Sequence, residues 1–310
     1  MERVLFERAK SGYRAVRGDL VRSIQTRLKA TGADPGEVDG IYGRDTESAL
    51  KQWQAACGMA DSGRLCVASW SKLVEAPLPS MLERCLQLTS DFEGHGYGKV
   101  VGNFDGAWLT WGIIGFTLRN GEIQKILAKV RSEHPGLLRD VLGPLESVLL
   151  RVLAGGTDTQ EGWANDISVG SNHYRVLPEW EEAFANLGTC PEVRRIQLEG
   201  VEKYWQLALR TAAKFGLKSE RGLALCFDIA VQNGGISQAE ERRIRRLFAE
   251  TPPSSELDRR VVIADVVAED SKPRFIEDVR LRKRAIAVGE GTVHGARYAT
   301  RDWGIDEFDA

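Results

Sequence analysis

The chain is predicted to be mainly α-helical with a small β component (α+β), a small three-helix module followed by a larger helical domain with a small β lobe. Three observations carry this. Apolar residues recur at helical spacing through most of the 310 residues. One stretch, Thr89 to Gly121, breaks that pattern with glycines, aromatics and β-branched residues, which suit loops and short strands. The prolines of Ala76-Pro77-Leu78-Pro79-Ser80 disfavour continuous helix or sheet and mark a junction. The expected boundaries are a leader over 1–15, the module over 16–75, a linker over 76–80 and the larger domain over 81–310.

The module's elements follow in order. Leu20, Ile24 and Leu28 lie on one helical face, and Gly32 ends that helix. Turns follow at Asp34-Pro35-Gly36 and at Asp39-Gly40-Ile41-Tyr42-Gly43. Asp45 or Thr46 caps a second helix carrying Ala49, Leu50 and Trp53, which Gly58 closes. Trp70 and Leu73 mark a third, short helix. In the larger domain, helical spacing shows in Met81 to Leu88, Ile123 to Val130 and Val201 to Ala208. Thr251-Pro252-Pro253-Ser254-Ser255 is expected as a loop inside it.

Composition narrows the function. The chain is 43% hydrophobic and 28% charged, with a net charge of -2. No basic excess points to nucleic acid, and Arg242, Arg243, Arg245 and Arg246 read as a solvated helix face. Charges interrupt every apolar run in Met1 to Arg8, so no signal peptide is expected. No run approaches the ~20 apolar residues of a membrane span. The expectation is synthesis in the cytoplasm, no membrane partner, and release or secretion to any target outside. The odd count of five cysteines and their wide spacing argue for reduced thiols. The four histidines form no metal-ligand spacing, so neither metal nor cofactor is expected.

The module resembles the peptidoglycan-binding domain of cell-wall hydrolases. The matching residues are Val21-x-x-Ile24-Gln25-x-x-Leu28, Gly32, Val38 to Gly43, Thr46, Ala49-Leu50, Trp53-Gln54, Gly58, Gly63 and Trp70-x-x-Leu73. The residues themselves say that Asp39, Gly40 and Gly43 shape tight turns and that Trp53 packs in the core. Wall contact then falls to exposed residues around Tyr42 and Arg44.

Glycoside hydrolysis needs one protonated carboxyl and one ionised carboxylate facing each other. Glu93 ends an apolar helical run, and Phe92 and Tyr97 flank it and shield it from water, which suits the acid. Asp105 follows in the turn Asn103-Phe104-Asp105-Gly106. Thr89 to Glu122 resembles the catalytic segment of the family-46 chitosanases, members of the lysozyme-like superfamily. The resemblance rests on Ser90-x-x-Glu93, then Asp105-Gly106-x-x-x-Thr110, then Gly112-Ile113-Ile114-Gly115-Phe116. It implies that Glu93 is the general acid, Asp105 the general base of an inverting reaction, and Thr110 a holder of the attacking water. Inversion implies carboxyls ~6.5–9.5 Å apart.

The same resemblance implies that Glu122 binds a glucosamine amine, although a solvent-facing carboxylate at a helix start would look the same. Asp228 would belong to an arginine–carboxylate network behind the acid, with Arg280 and Arg297 as partners. Trp108 and Trp111 suit sugar stacking and core packing equally. The loop between the carboxyls departs from the family in being short and rich in glycine (Gly94, Gly96, Gly98, Gly102).

Three functions stand at this point. The first is a muramidase cutting peptidoglycan, as a phage-type endolysin or a secreted antibacterial effector; an effector implies an immunity protein or a secretion-machine component as partner. The second is a chitosanase acting on chitosan. The third is a non-catalytic wall-binding protein.

Overall fold

The computed structural model describes residues 3–94 and 96–309; His95 lies outside them. It is mainly helical, with fourteen α-helices and four small antiparallel sheets among the described residues. Contacts divide the chain into two units, Met1–Phe92 with Tyr204–Ala310, and Glu93–Lys203.

In the first unit the chain opens with β1 (Val4–Phe6), followed by α1 (Asp19–Ala30) and α2 (Arg44–Ala56). Next come β2 (Leu65–Cys66) and α3 (Val67–Leu73). Strands β1 and β2 pair, so residues from the expected leader complete the module's small sheet. Helix α1 buries Val21, Ile24 and Leu28, and α2 buries Ala49, Leu50 and Trp53. Two buried glutamines hold the turns between these elements. The Gln25 amide accepts from Gly40 N at 2.7 Å and donates to Asp39 Oδ1 at 2.8 Å. The Gln54 amide accepts from Gly63 N at 2.9 Å and donates to Arg64 O at 2.9 Å. Each amide satisfies backbone groups that the turn would otherwise bury unpaired. Gly40 sits at φ +77°, where a Cβ would also press within 3.1 Å of Gly18 O, so glycine is required. Residues 75–80 carry no helix or strand, and Trp70 Nε1 donates to Ala76 O and Pro77 O.

Helix α4 (Met81–Glu93) then buries every residue from Arg84 to Ser90 as well as Phe92, and its final residue begins the second unit. There β3 (Val100–Val101), β4 (Thr110–Trp111) and β5 (Phe116–Thr117) form a three-stranded sheet in that order. Four helices follow: α5 (Glu122–Glu133), α6 (Leu137–Leu142), α7 (Leu145–Ala154) and α8 (Thr157–Ile167). A hairpin of β6 (Ser168–Val169) and β7 (Arg175–Val176) leads to α9 (Pro178–Leu187) and α10 (Pro191–Phe215).

The chain returns to the first unit through α11 (Glu220–Asn233), α12 (Gln238–Glu250), α13 (Glu256–Glu269) and α14 (Ile276–Val288). It finishes with the hairpin β8 (Glu290–Val293) and β9 (Ala296–Ala299). Helix α11 packs on α13 and α14 and is buried along almost its whole length, with Glu220 and Asp228 buried among its apolar residues. The Pro-rich break lies between α12 and α13, where Ser255 and Asp258 form a capping box.

Candidate active site

Glu93 is half-buried at the C-terminus of α4, and Gly94 at φ +65° ends the helix behind it. The turn that carries Glu93 is anchored from below. Thr89 Oγ1 donates to Asp228 Oδ1 at 3.2 Å. The buried Phe92 ring meets Tyr298 edge-on at 4.8 Å, and the Arg282 guanidinium lies 5.2 Å from its centroid. Asp228, Arg282 and Lys283 are all fully buried. Arg282 Nη2 donates to Asp228 Oδ1 at 2.7 Å, and Lys283 Nζ to Oδ2 at 2.5 Å. Burial pushes the Asp228 pKa up, but the charges and hydrogen bonds of Arg282 and Lys283 outweigh it and hold it at about 2.

The partners of Asp228 are therefore not Arg280 or Arg297. Arg280 projects from another side of α14 to Glu277 at 3.1 Å, and Arg297 on β9 donates to Tyr13 Oη at 2.7 Å. Asp91, two residues before Glu93, is held as well. It accepts from Arg14 Nε at 2.9 Å and from Tyr298 Oη at 2.7 Å.

Asp105 is exposed on the loop between β3 and β4. Its Oδ1 accepts from Ala107 N at 3.0 Å, an Asx turn that fixes the carboxylate against its own backbone. The loop is bolted down on both flanks. Asn103 Oδ1 accepts from Trp108 N at 3.0 Å, and Asn103 Nδ2 donates to Asn165 Oδ1 at 2.7 Å. Asn103 N donates to Ser168 Oγ at 2.8 Å, and Gly102 N to Tyr174 O at 2.9 Å. Thr110 is half-buried on β4, paired between Val101 and Thr117.

The glycines of this segment have a physical reason. A Cβ on Gly98 would lie 2.7 Å from Ala185 Cα, and one on Gly102 would lie 2.8 Å from Arg175 O. Backbones pass too close here for any side chain.

Both tryptophans belong to the core rather than to a sugar-facing surface. Trp111 is fully buried, with Nε1 donating to Phe184 O at 3.3 Å, and Trp108 is also buried. On β4 the alternation of the strand leaves Thr110 half-buried and turns Trp111 inward. Glu122 accepts from Thr117 N at 3.0 Å and pairs with Lys203 Nζ at 2.7 Å. That carboxylate closes the end of β5 rather than standing open at a helix start. Tyr97 is half-buried; its carbonyl accepts from Gln197 Nε2 at 2.9 Å, and Arg194 lies 5.2 Å over its ring.

In the module, Tyr42 is buried and its hydroxyl donates to Gly63 O at 3.2 Å, so its ring offers nothing to a wall ligand. Trp53 is buried, while Arg44 is exposed at the start of α2. At Asp39, burial pushes the pKa up, but the bonds from Gln25 and Ile41 N prevail and lower it. A shallow depression of about 350 Å³ lies between Lys29, Gly32, Asp34, Gly36 and Glu37, and none of the expected binding residues lines it.

Two features were not anticipated. The fully buried Gln197 amide accepts from Ile113 N at 3.0 Å while donating to Tyr97 O, clasping the turn after β4 to the segment after Glu93. Beside Asp105, Phe104 and Tyr174 form an exposed edge-on pair 5.2 Å apart, 48% and 41% exposed. Phe104 adjoins Asp105 in sequence, a signal that could have been used; Tyr174 comes from a distant hairpin and gives none.

Comparison with known proteins matches both halves of the architecture. Residues 17–65 match the family described as a putative peptidoglycan binding domain. The native chitosanase of Bacillus subtilis MY002 superposes with a TM-score of 0.52 at 20% identity, covering 71% of this chain and 97% of that one. A variant of that chitosanase complexed with six glucosamine units gives 0.51 at 18% identity, over 71% and 98%. The family-46 chitosanase of Gynuella sunshinyii, complexed with chitotetraose, gives 0.48 at 16% identity, over 72% and 98%. The two Bacillus structures share this chain's helical, lysozyme-like fold. No curated protein matches by sequence.

Proposed function

We propose that this protein is a wall-directed glycoside hydrolase of muramidase type, cutting the glycan strand of peptidoglycan with inversion. The observation that carries this reading is the pairing of a peptidoglycan-binding match over residues 17–65 with two differently held carboxyls in a hydrolase fold. Wall attachment raises the local concentration of glycan. In the reaction the bond between the anomeric carbon and the glycosidic oxygen breaks, and the leaving oxygen takes the proton of Glu93. A water oxygen bonds to the anomeric carbon from the opposite face and gives its proton to Asp105. Thr110 orients that water. Phe104 and Tyr174 offer ring faces for a sugar beside Asp105. Delivery as a phage-type endolysin or a secreted antibacterial effector belongs to the same reading.

A second reading, chitosan hydrolysis, draws on the Bacillus subtilis structures, whose descriptions name chitosanase and bound glucosamine units. The closed bonding of Glu122 weighs against an amine subsite at that carboxylate. Reducing-end release from purified peptidoglycan and from chitosan separates the two. Muramidase chemistry predicts new ends from peptidoglycan at a rate at least tenfold above that from chitosan. The opposite ratio contradicts it.

A further inference from the structure

A polar cleft of about 450 Å³ opens in the first unit, lined by none of the residues assigned to glycan cleavage. Its walls come from the segment 7–11, from Glu47 with 62–64, and from Arg301 with Asp302. Two of its three carboxylates already have cations. Glu7 pairs with Arg64 at 2.9 Å and with Arg301 at 3.3 Å, and Glu47 pairs with Arg8 at 3.1 Å.

Asp302 is different. It is only 3% exposed, and its Oδ2 is buried with no hydrogen-bond partner among the described residues. An ionisable group taken out of water without a partner is costly, and the deficit calls for a donor from outside the chain. Burial, with Glu7 adding to it, pushes the Asp302 pKa up to about 6. On the rim stands Lys10, exposed and with no ion-pair partner among the described residues. Its charge acts on Asp302 through space without bonding to it. Asp302, with one buried oxygen unpaired, and the exposed Lys10 thus both line the same cleft.

We propose that this cleft binds a zwitterionic amino-acid end group, with its ammonium on Asp302 and its carboxylate on Lys10. In a cell wall that chemistry is found where a stem peptide carries a diamino acid whose far end keeps both groups free. The wall source rests on the peptidoglycan-binding reading of residues 17–65; the zwitterion chemistry does not. A ligand there would contact the module, the segment before it and the C-terminal turn together, so recognition would extend beyond the module itself.

Calorimetric titration of the full chain tests this with three soluble probes: a synthetic tripeptide ending in meso-diaminopimelate, the same peptide acetylated on its far amine, and free meso-diaminopimelate. The tripeptide should bind the wild type, and acetylation should weaken it at least tenfold. Asp302→Asn should weaken the unmodified tripeptide by a similar factor, and Lys10→Ala several-fold. Asp302→Asn removes no observed bond, and a thermal melt verifies that it folds. Free meso-diaminopimelate binding as tightly as the tripeptide would support the site and assign it to a soluble amino acid; weaker binding would assign it to the wall peptide. No binding of any probe to the wild type, or equal binding by Asp302→Asn, overturns the proposal. No probe contains a glycosidic bond, so the result stands apart from whether the protein cleaves glycan.

Discussion

Glu93 and Asp105 are carried by backbones that are held in opposite ways. The turn before Glu93 rests on one buried charged cluster, in which Asp228 answers Arg282, Lys283 and Thr89 at once. The loop of Asp105 rests on several separate bonds, neutral ones made by Asn103 and Gly102 and one accepted by the carboxylate itself. A buried cluster is collective: removing one member leaves the others charged and unpaired. Neutral bonds are distributed, and each can be lost for about 1 kcal/mol, or somewhat more where a buried group is left unpaired. The expected acid thus sits on a support that fails all at once, and the expected base on one that loosens by degrees.

The sharpest way to break this comparison is Asp228→Ala. It should cost about 3–5 kcal/mol of stability, because Arg282 and Lys283 stay buried without their counter-charge. Denaturant unfolding checks this, and a loss below about 1 kcal/mol would make the cluster a bystander. The same cluster predicts a pH dependence. The folded pKa of Asp228, about 2, lies below the ordinary carboxylate value of about 3.9. Its contribution is therefore complete above that ordinary value and is lost as pH falls through the folded one. In Asp228→Asn, melts between pH 5 and pH 2 should show a shallower acid loss than in the wild type.

Asn103→Ala is the matching cut at the loop. It should cost about 1–3 kcal/mol by orphaning Trp108 N and Asn165, and should lower turnover while the α-helical circular dichroism stays intact. The smallest effect belongs to Phe104→Ala. This exposed side chain should change stability by no more than about 0.5 kcal/mol, yet raise KM for glycan several-fold if its ring carries a sugar. An unchanged KM would remove Phe104 and Tyr174 from the proposed subsite.

How legible all this was in the sequence depends on the range of the interactions. The module's helices and turns follow from local spacing, and Gln25, Gln54 and Gly40 are held by contacts within about forty residues of sequence. The helix ending at Glu93 and the Gly-rich strands after it were likewise local features. The partners of Asp228 were not. Arg280, Arg282, Lys283 and Arg284 crowd one helix, and only packing against α11 and α13 decides which of them face inward. Aromatic residues misled for a similar reason. Trp108, Trp111 and Tyr42 look like ligand-stacking groups by type, but the fold spends their apolar area on its core. Strand alternation beside Thr110 already pointed Trp111 inward, so that part could have been read. The Phe104–Tyr174 pair could not, because its members lie seventy residues apart and meet only through the hairpin of β6 and β7.

The most direct test of the account is mass spectrometry of the fragments released from purified peptidoglycan by the wild type and by Glu93→Gln. The wild type should release muropeptides ending in reducing N-acetylmuramic acid, and Glu93→Gln none above background. Fragments of the same kind and yield from both proteins, or intact glycan with both, would contradict it.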